Sequence, residues 1–148
     1  MSYDEIPEMS LPEVVKQTKK SLAKDYDFIL LNIANPDMIG HTGNYNACIE
    51  TLNHVDNALN EIIECAKDNF YKVFITADHG NIDTMLTEEN EPIRTHSMSP
   101  VPFIILDEKV ELKKEGDITM IAPTLLKYMD IAVPKEMKDT NNLFVEVD

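Results

Sequence analysis

The sequence predicts an α/β fold: a mostly parallel sheet flanked by helices. Three observations carry that expectation. Short, nearly all-apolar runs recur at Phe28-Ile29-Leu30-Leu31-Asn32-Ile33-Ala34, Val73-Phe74-Ile75-Thr76-Ala77 and Val101-Pro102-Phe103-Ile104-Ile105-Leu106, the texture of strands buried on both faces. A long stretch of helical period separates the first two. Strands and helices alternate at a spacing that suits βαβ units.

The elements follow in order. Ser10-Leu11-Pro12-Glu13 reads as a helix start, with Ser10 as N-cap, Glu13 closing a capping box and Pro12 tolerated in the first turn. Val14, Val15, Thr18, Leu22 and Ala23 supply its stripe. The first apolar run ends at Asn35-Pro36. From Asn44 to about Asn69, Cys48, Leu52, Val55, Leu59, Ile62 and Ala66 recur in steps of four and three, and Ile49 and Ile63 widen the face. After the second run, residues 80–99 have no period and hold Gly80, Asn81, Asn90 and Pro92. That predicts a long surface loop, a type that often carries function. Asp117 to Met129 predicts a last helix capped by Asp117 and kinked or delayed by Pro123.

Composition narrows the function. The 148 residues leave room for one domain, with 43% hydrophobic and 27% charged residues. A net charge of −14 argues against nucleic acid and against an anionic membrane surface, which both need Lys and Arg. No apolar run reaches the ~18–20 residues of a membrane span, and the acidic N-terminus does not read as a signal peptide. Cys48 and Cys65 lie too far apart on one helix to bridge, so a reduced, cytoplasmic setting is expected. Both read as core thiols. Of thirteen basic residues only Arg94 is an arginine. A phosphate site here would therefore lean on metal ions or on further chain.

Ligands of such sheets bind beyond the carboxyl ends of the strands, and the polar chemistry gathers there. Asp37 and His41 follow the first run, Asp78 and His79 follow the second, and His96 precedes the third. An aspartate at a strand end often only caps the next helix, and a lone loop histidine is commonly solvated. Three histidines and two aspartates at one edge point to metal. Imidazole with carboxylate suits Mn²⁺ or Zn²⁺. Five ligands exceed one four-coordinate site, which implies two ions, the equipment of phosphoryl-transfer enzymes. Gly40, Gly43 and Gly80 would let backbone pass close by. His54, in mid-helix, reads as a surface or boundary residue.

Five segments together carry a resemblance. Asn32-x-Ala34-Asn35-Pro36-Asp37-Met38-x-Gly40-His41-Thr42-Gly43, Thr76-Ala77-Asp78-His79-Gly80-Asn81 and Thr95-His96-Ser97 with Val101-Pro102-Phe103 resemble signature segments of the cofactor-independent phosphoglycerate mutases. Tyr3-Asp4-x-x-Pro7-Glu8-Met9-Ser10 and Ile121-Ala122-Pro123-Thr124-Leu125-Leu126 extend the likeness over nearly the whole chain. The resemblance implies an alkaline-phosphatase-like domain and interconversion of 3- and 2-phosphoglycerate in glycolysis, through a phosphoserine and usually with two Mn²⁺ ions. It implies that Asp37, His41 and His96 hold one ion, while Asp78 and His79 contribute to the other.

By the same resemblance the nucleophilic serine, an aspartate ligand and the substrate-gripping arginines belong to an N-terminal segment and an inserted domain. None of them matches these residues. The expectation is a C-terminal portion of the phosphatase domain, residues 1–148, inactive alone and prone to self-association through an exposed sheet edge. A related phosphatase or phosphopentomutase, or a non-catalytic metal-binding module, would share the ligands; the Asn35-Pro36-Asp37-Met38 wording favours the glycerate mutase.

Overall fold

The computed structural model describes residues 2–137 and 142–145. They form two compact units, Met1–Ile105 and Leu106–Asp148. Helices and a small sheet bear out the α/β class.

In the first unit, α1 (Leu11–Leu22) starts with proline in its first turn. The expected capping box is not formed. Ser10 sits at φ −93° and ψ 11°, outside the extended region that would aim its hydroxyl at the first-turn N–H groups, and its side chain makes no cap bond. Glu13 is taken instead by Lys16 at 3.3 Å and by Gln17. A short helix, α2 (Asn35–Gly40), follows, and then α3 (Tyr45–Asp68). Asn44 caps α3 by accepting from the Ala47 N–H at 3.2 Å.

The α3 stripe is rotated from the one expected. Ala47, Cys48, Thr51, Ala58, Ile62 and Ala66 are buried, whereas Leu52 and Ile49 are exposed. Ala58 faces inward where α1 packs, Ala47 and Cys48 where Ile39 of α2 packs, and Thr51 where its hydroxyl donates to the Pro7 carbonyl. Leu11, Val15, Ala58 and Ile62 make one core, each large member worth ~1.5–3 kcal/mol on burial. Leu31 and Ile33 cover that core from the first apolar run.

That run is the main departure from expectation. Residues 28–34 alternate exposed and half-buried, as a strand would, yet they pair with no strand among the described residues. Ile29, Leu31 and Ile33 turn inward, and Phe28 and Leu30 face solvent, Leu30 being 85% exposed. The other two runs do form strands, β1 (Phe74–Thr76) and β2 (Phe103–Ile105). They pair antiparallel, Phe74 with Ile105, Ile75 with Ile104 and Thr76 with Phe103, correcting the expected parallel order. The connection explains the direction. A parallel neighbour needs a crossover connection, usually a helix packed on the sheet. Here residues 77–102 hold no helix and fold back as a long arm, stitched by bridges between Gly80 and Ser97 and between Leu86 and Pro92.

The second unit is built around buried Thr124 on α4 (Ile121–Tyr128). Its hydroxyl donates to the Met120 carbonyl at 2.6 Å and accepts from the Leu143 N–H at 2.8 Å. Asp117 caps a 3-10 turn (Ile118–Met120) that precedes α4, so Pro123 delays the α-helix as expected. No helix among the described residues is long and apolar enough to cross a membrane.

Candidate metal centre

Two anchors fix α2. Asn35 is buried and donates to the Pro7 and Glu8 carbonyls at 3.1 and 2.9 Å. Ile39, fully buried, packs with Ala47, Cys48 and Met85. The helix therefore presents Asp37 and His41, one turn apart, on the same side. Their side chains meet: His41 Nε2 lies 3.1 Å from Asp37 Oδ1.

The long arm delivers the other ligands. His79 follows β1 and His96 precedes β2, and the Gly80–Ser97 bridge lies directly beyond both. His96 Nε2 stands 3.3 Å from Asp37 Oδ1 and 3.2 Å from His41 Nε2. His79 Nε2 lies 3.8 Å from the same Asp37 oxygen, and its ring stacks on that of His96. Asp37, His79 and His96 offer ligand atoms all within 4.8 Å of one another. Asp78 differs from them: its side chain is 85% exposed and its carboxylate stands 3.7 Å from His79 Nε2.

Backbone carbonyls settle how two of the rings face the site. His41 Nδ1 lies 2.7 Å from the Arg94 carbonyl, and His79 Nδ1 lies 3.2 Å from the Gly80 carbonyl. A carbonyl only accepts, so an Nδ1–H donated to it leaves the Nε2 lone pair of each ring free to face inward as a ligand. Those lone pairs converge on a carboxylate oxygen, which is also an acceptor. Acceptors gathered at 3–4 Å repel unless a proton or a metal ion stands among them. Ligands ~2.0–2.2 Å from an ion sit at about this mutual spacing, so the donor set fits a divalent metal.

One functional neighbour was missed by sequence reasoning beyond its place in a motif. Asn81 is buried and donates to Asp37 Oδ1 at 2.7 Å and to the Asp37 carbonyl at 3.3 Å. It thereby fixes the carboxylate that all three histidines approach. Gly40 makes this contact feasible, because a β-carbon there would overlap the Asn81 carboxamide. The signal was present in the sequence as a polar residue two positions past His79, but no spacing rule says that it turns toward α2.

Other serine, cysteine and histidine side chains behave blandly. Ser97 and Ser99 give their hydroxyls to Asp83, which is held down to about 2 by the two serines. So weak a base cannot activate either hydroxyl. Cys48 is a core thiol pushed up by burial. His54 is half-buried on α3, 3.7 Å from Glu50.

Comparison with known proteins fits this site. A profile described as the metalloenzyme superfamily matches residues 1–133. The 2,3-bisphosphoglycerate-independent phosphoglycerate mutase of Mycoplasma genitalium is 43% identical over 136 residues, covering 92% of this chain and 27% of that protein. The enzymes of the same name from Mycoplasmoides gallisepticum and Wolinella succinogenes are 46% and 43% identical, again over 92% of this chain and 27% and 28% of theirs. The chain thus spans little more than a quarter of these curated relatives. A crystal structure of Leishmania mexicana phosphoglycerate mutase at low cobalt concentration shares the fold, with a TM-score of 0.84 at 24% identity over 98% of this chain and 30% of that one. The chain belongs to the metalloenzyme superfamily.

Proposed function

We propose that this chain carries the metal-ligating, C-terminal portion of the phosphatase-type domain of a cofactor-independent phosphoglycerate mutase, acting on phosphoglycerate in the cytoplasm. The observation that carries the reading is the convergence of the His41, His79 and His96 Nε2 atoms on Asp37 Oδ1. The relatives, 2,3-bisphosphoglycerate-independent phosphoglycerate mutases, supply the activity.

Asp37, His41 and His96 would hold one ion, and Asp78 and His79 would contribute to a second, with Mn²⁺ as the native metal. Divalent ions of this kind neutralise phosphoryl oxygens and polarise the groups they bind. The chain's own residues orient. Carbonyls of Arg94 and Gly80 hold the two Nδ1–H groups, and Asn81 holds the carboxylate. In a protein of the relatives' length, the other three quarters would supply the remaining ligands, the nucleophile and the arginines that grip the acid.

Calorimetric titration of the 148-residue chain with Mn²⁺ tests the centre. The wild type should bind one ion well and a second poorly, because only the first set is complete here. Asp37→Ala should lose more than the roughly 10–100-fold typical of second-sphere changes. Equal affinities at two sites, or an unaffected variant, would remove the assignment.

A further inference from the structure

The Asp83 carboxylate stands outside the ligand set, yet it joins the two limbs of the arm that bear His79 and His96. Ser97 Oγ donates to its two oxygens at 2.8 and 3.0 Å, across fourteen residues of sequence. The Ser99 hydroxyl bonds the same carboxylate, and Thr84 Oγ1 adds a third donor at 2.9 Å. Beside these bonds the Ser97 N–H donates to the Gly80 carbonyl at 2.9 Å. The approach is tight enough that a β-carbon at position 80 would overlap Ser97 Oγ and come within 2.7 Å of Asp83 Oδ1. Glycine is required there by the tie itself.

The tie has a geometric consequence. Gly80 is the residue after His79, and Ser97 is the residue after His96. Whatever fixes Gly80 against Ser97 also fixes the two imidazoles, whose planes lie 17° from parallel. A neutral serine–serine contact would hold the limbs weakly. A carboxylate taking three hydroxyls makes charge-assisted bonds, which are roughly twice as strong as neutral ones. The low proton affinity of Asp83 is the thermodynamic image of those bonds.

We propose that Asp83 is a positioning residue of the metal centre: by taking the Ser97 and Ser99 hydroxyls it sets His96 against His79 and so presets the spacing of their ligand atoms. The proposal rests on the metal-centre reading above.

Asp83→Ala, Ser97→Ala and the double variant test it in the 148-residue chain, with Co²⁺ as the probe and two readouts. Without metal, nuclear Overhauser contacts between the His79 and His96 rings should be strong in the wild type and lost in both single variants, while the contacts of Ile39 in its core persist. With Co²⁺, each single variant should bind about 10–100-fold more weakly and show an altered visible spectrum. The double variant should be little worse than either single one, because both remove the same link. Asp83→Asn keeps one acceptor oxygen and should recover most of the loss. A residue that merely stabilised the loop would lower the melting temperature and leave the ring contacts and spectrum alone. Intact ring contacts with Co²⁺ affinity within twofold of wild type overturn the proposal. Should Asp83→Ala fail to fold, Ser97→Ala decides by the same readouts. A wild type that keeps its ring contacts yet takes no Co²⁺ overturns the metal-centre reading, and with it the role given to Asp83.

Discussion

The imidazoles of His79 and His96 lie face to face, with centroids 3.7 Å apart, although they belong to opposite limbs of a long irregular arm. Neither limb has regular structure at that point. The stack exists because an antiparallel bridge, an aspartate and a glycine hold the limbs together one residue further on. His96 is thereby brought to 3.3 Å from Asp37 Oδ1, on a helix with its own separate anchors. Three elements meet at one oxygen, and each is fixed by contacts outside the ligand set.

The Gly40–Asn81 contact gives the first prediction. Gly40→Ala should destabilise the chain by ~1–3 kcal/mol, since the added methyl forces Asn81 away from a packed position. The same shift should weaken divalent-metal binding. Asn81→Ala leaves room at Gly40 but frees Asp37, and should weaken binding about 10–100-fold with a smaller change in stability. Thermal melts and metal titrations on both variants separate the two effects. Unchanged affinity in Asn81→Ala would show that Asp37 is oriented by other means.

Much of this was legible in the sequence, and the gaps have physical causes. The α3 period, its Asn44 start and the delay imposed by Pro123 are local properties, so spacing alone revealed them. The ligand candidates were visible because three histidines and two aspartates gather at the ends of the apolar runs, where each alone would have meant little. Strand direction was not legible. Apolar runs report burial, whereas parallel or antiparallel order depends on how residues 77–102 return, and that arm has no period to read. The inner face of α3 was misread for a related reason: α1 packs on Ala58 and the Pro7 carbonyl takes the Thr51 hydroxyl, so both lie inside while Leu52 does not, and hydrophobicity does not encode proximity. Asn81 and Asp83 act across the arm, at contacts that no sequence period marks.

Alkaline pH should single out Tyr128. Burial, and then the hydrogen bond and charge of Asp107, push its phenol up from 10.0 to about 12. A raised value in the folded state means that the stability it reflects is present below pH 10. That stability is lost as pH rises through about 12, where the phenolate would face Asp107. Ultraviolet absorbance of the five tyrosines should show one phase near pH 12, absent in Tyr128→Phe. Asp107→Asn should move that phase down. A single phase unaltered by either variant would contradict the contact.

Residues 28–34 predict self-association. Phe28 and Leu30 are 53% and 85% exposed, and the run pairs with no strand among the described residues. Such edges recruit other strands. A second copy is an apt partner because the run has no charge, so antiparallel pairing about Leu31 places no like charges opposite one another despite the net −14. Sedimentation should show mass rising with concentration in the wild type, and Leu30→Lys should restore the monomer. A wild type that stays monomeric throughout, with a sharp cooperative melt, would mean that the helices cover this face in solution.

The last prediction is an expected silence: assayed by itself, the 148-residue chain should not interconvert 3- and 2-phosphoglycerate. Transfer between the two hydroxyls through a covalent intermediate needs a nucleophile that accepts the phosphoryl group and returns it. The serines nearest the metal ligands are Ser97 and Ser99, and both hydroxyls are committed to Asp83, whose value near 2 makes it too weak a base to free them. Ser10 and Ser21 belong to the ends of α1. Holding a small, multiply charged acid while it reorients also needs cationic groups, and Arg94 is the sole arginine in a chain of net charge −14. Losing a nucleophile costs several orders of magnitude in rate, whereas bound metal without it supports at most slow hydrolysis. The measurement is an enolase-coupled assay with 3-phosphoglycerate and added Mn²⁺, run beside His41→Ala to expose contaminating host enzyme. Turnover above that control would show that these residues hold a working nucleophile and substrate grip of their own, and the division of labour proposed between them and the rest of a relative-length protein would have to be abandoned.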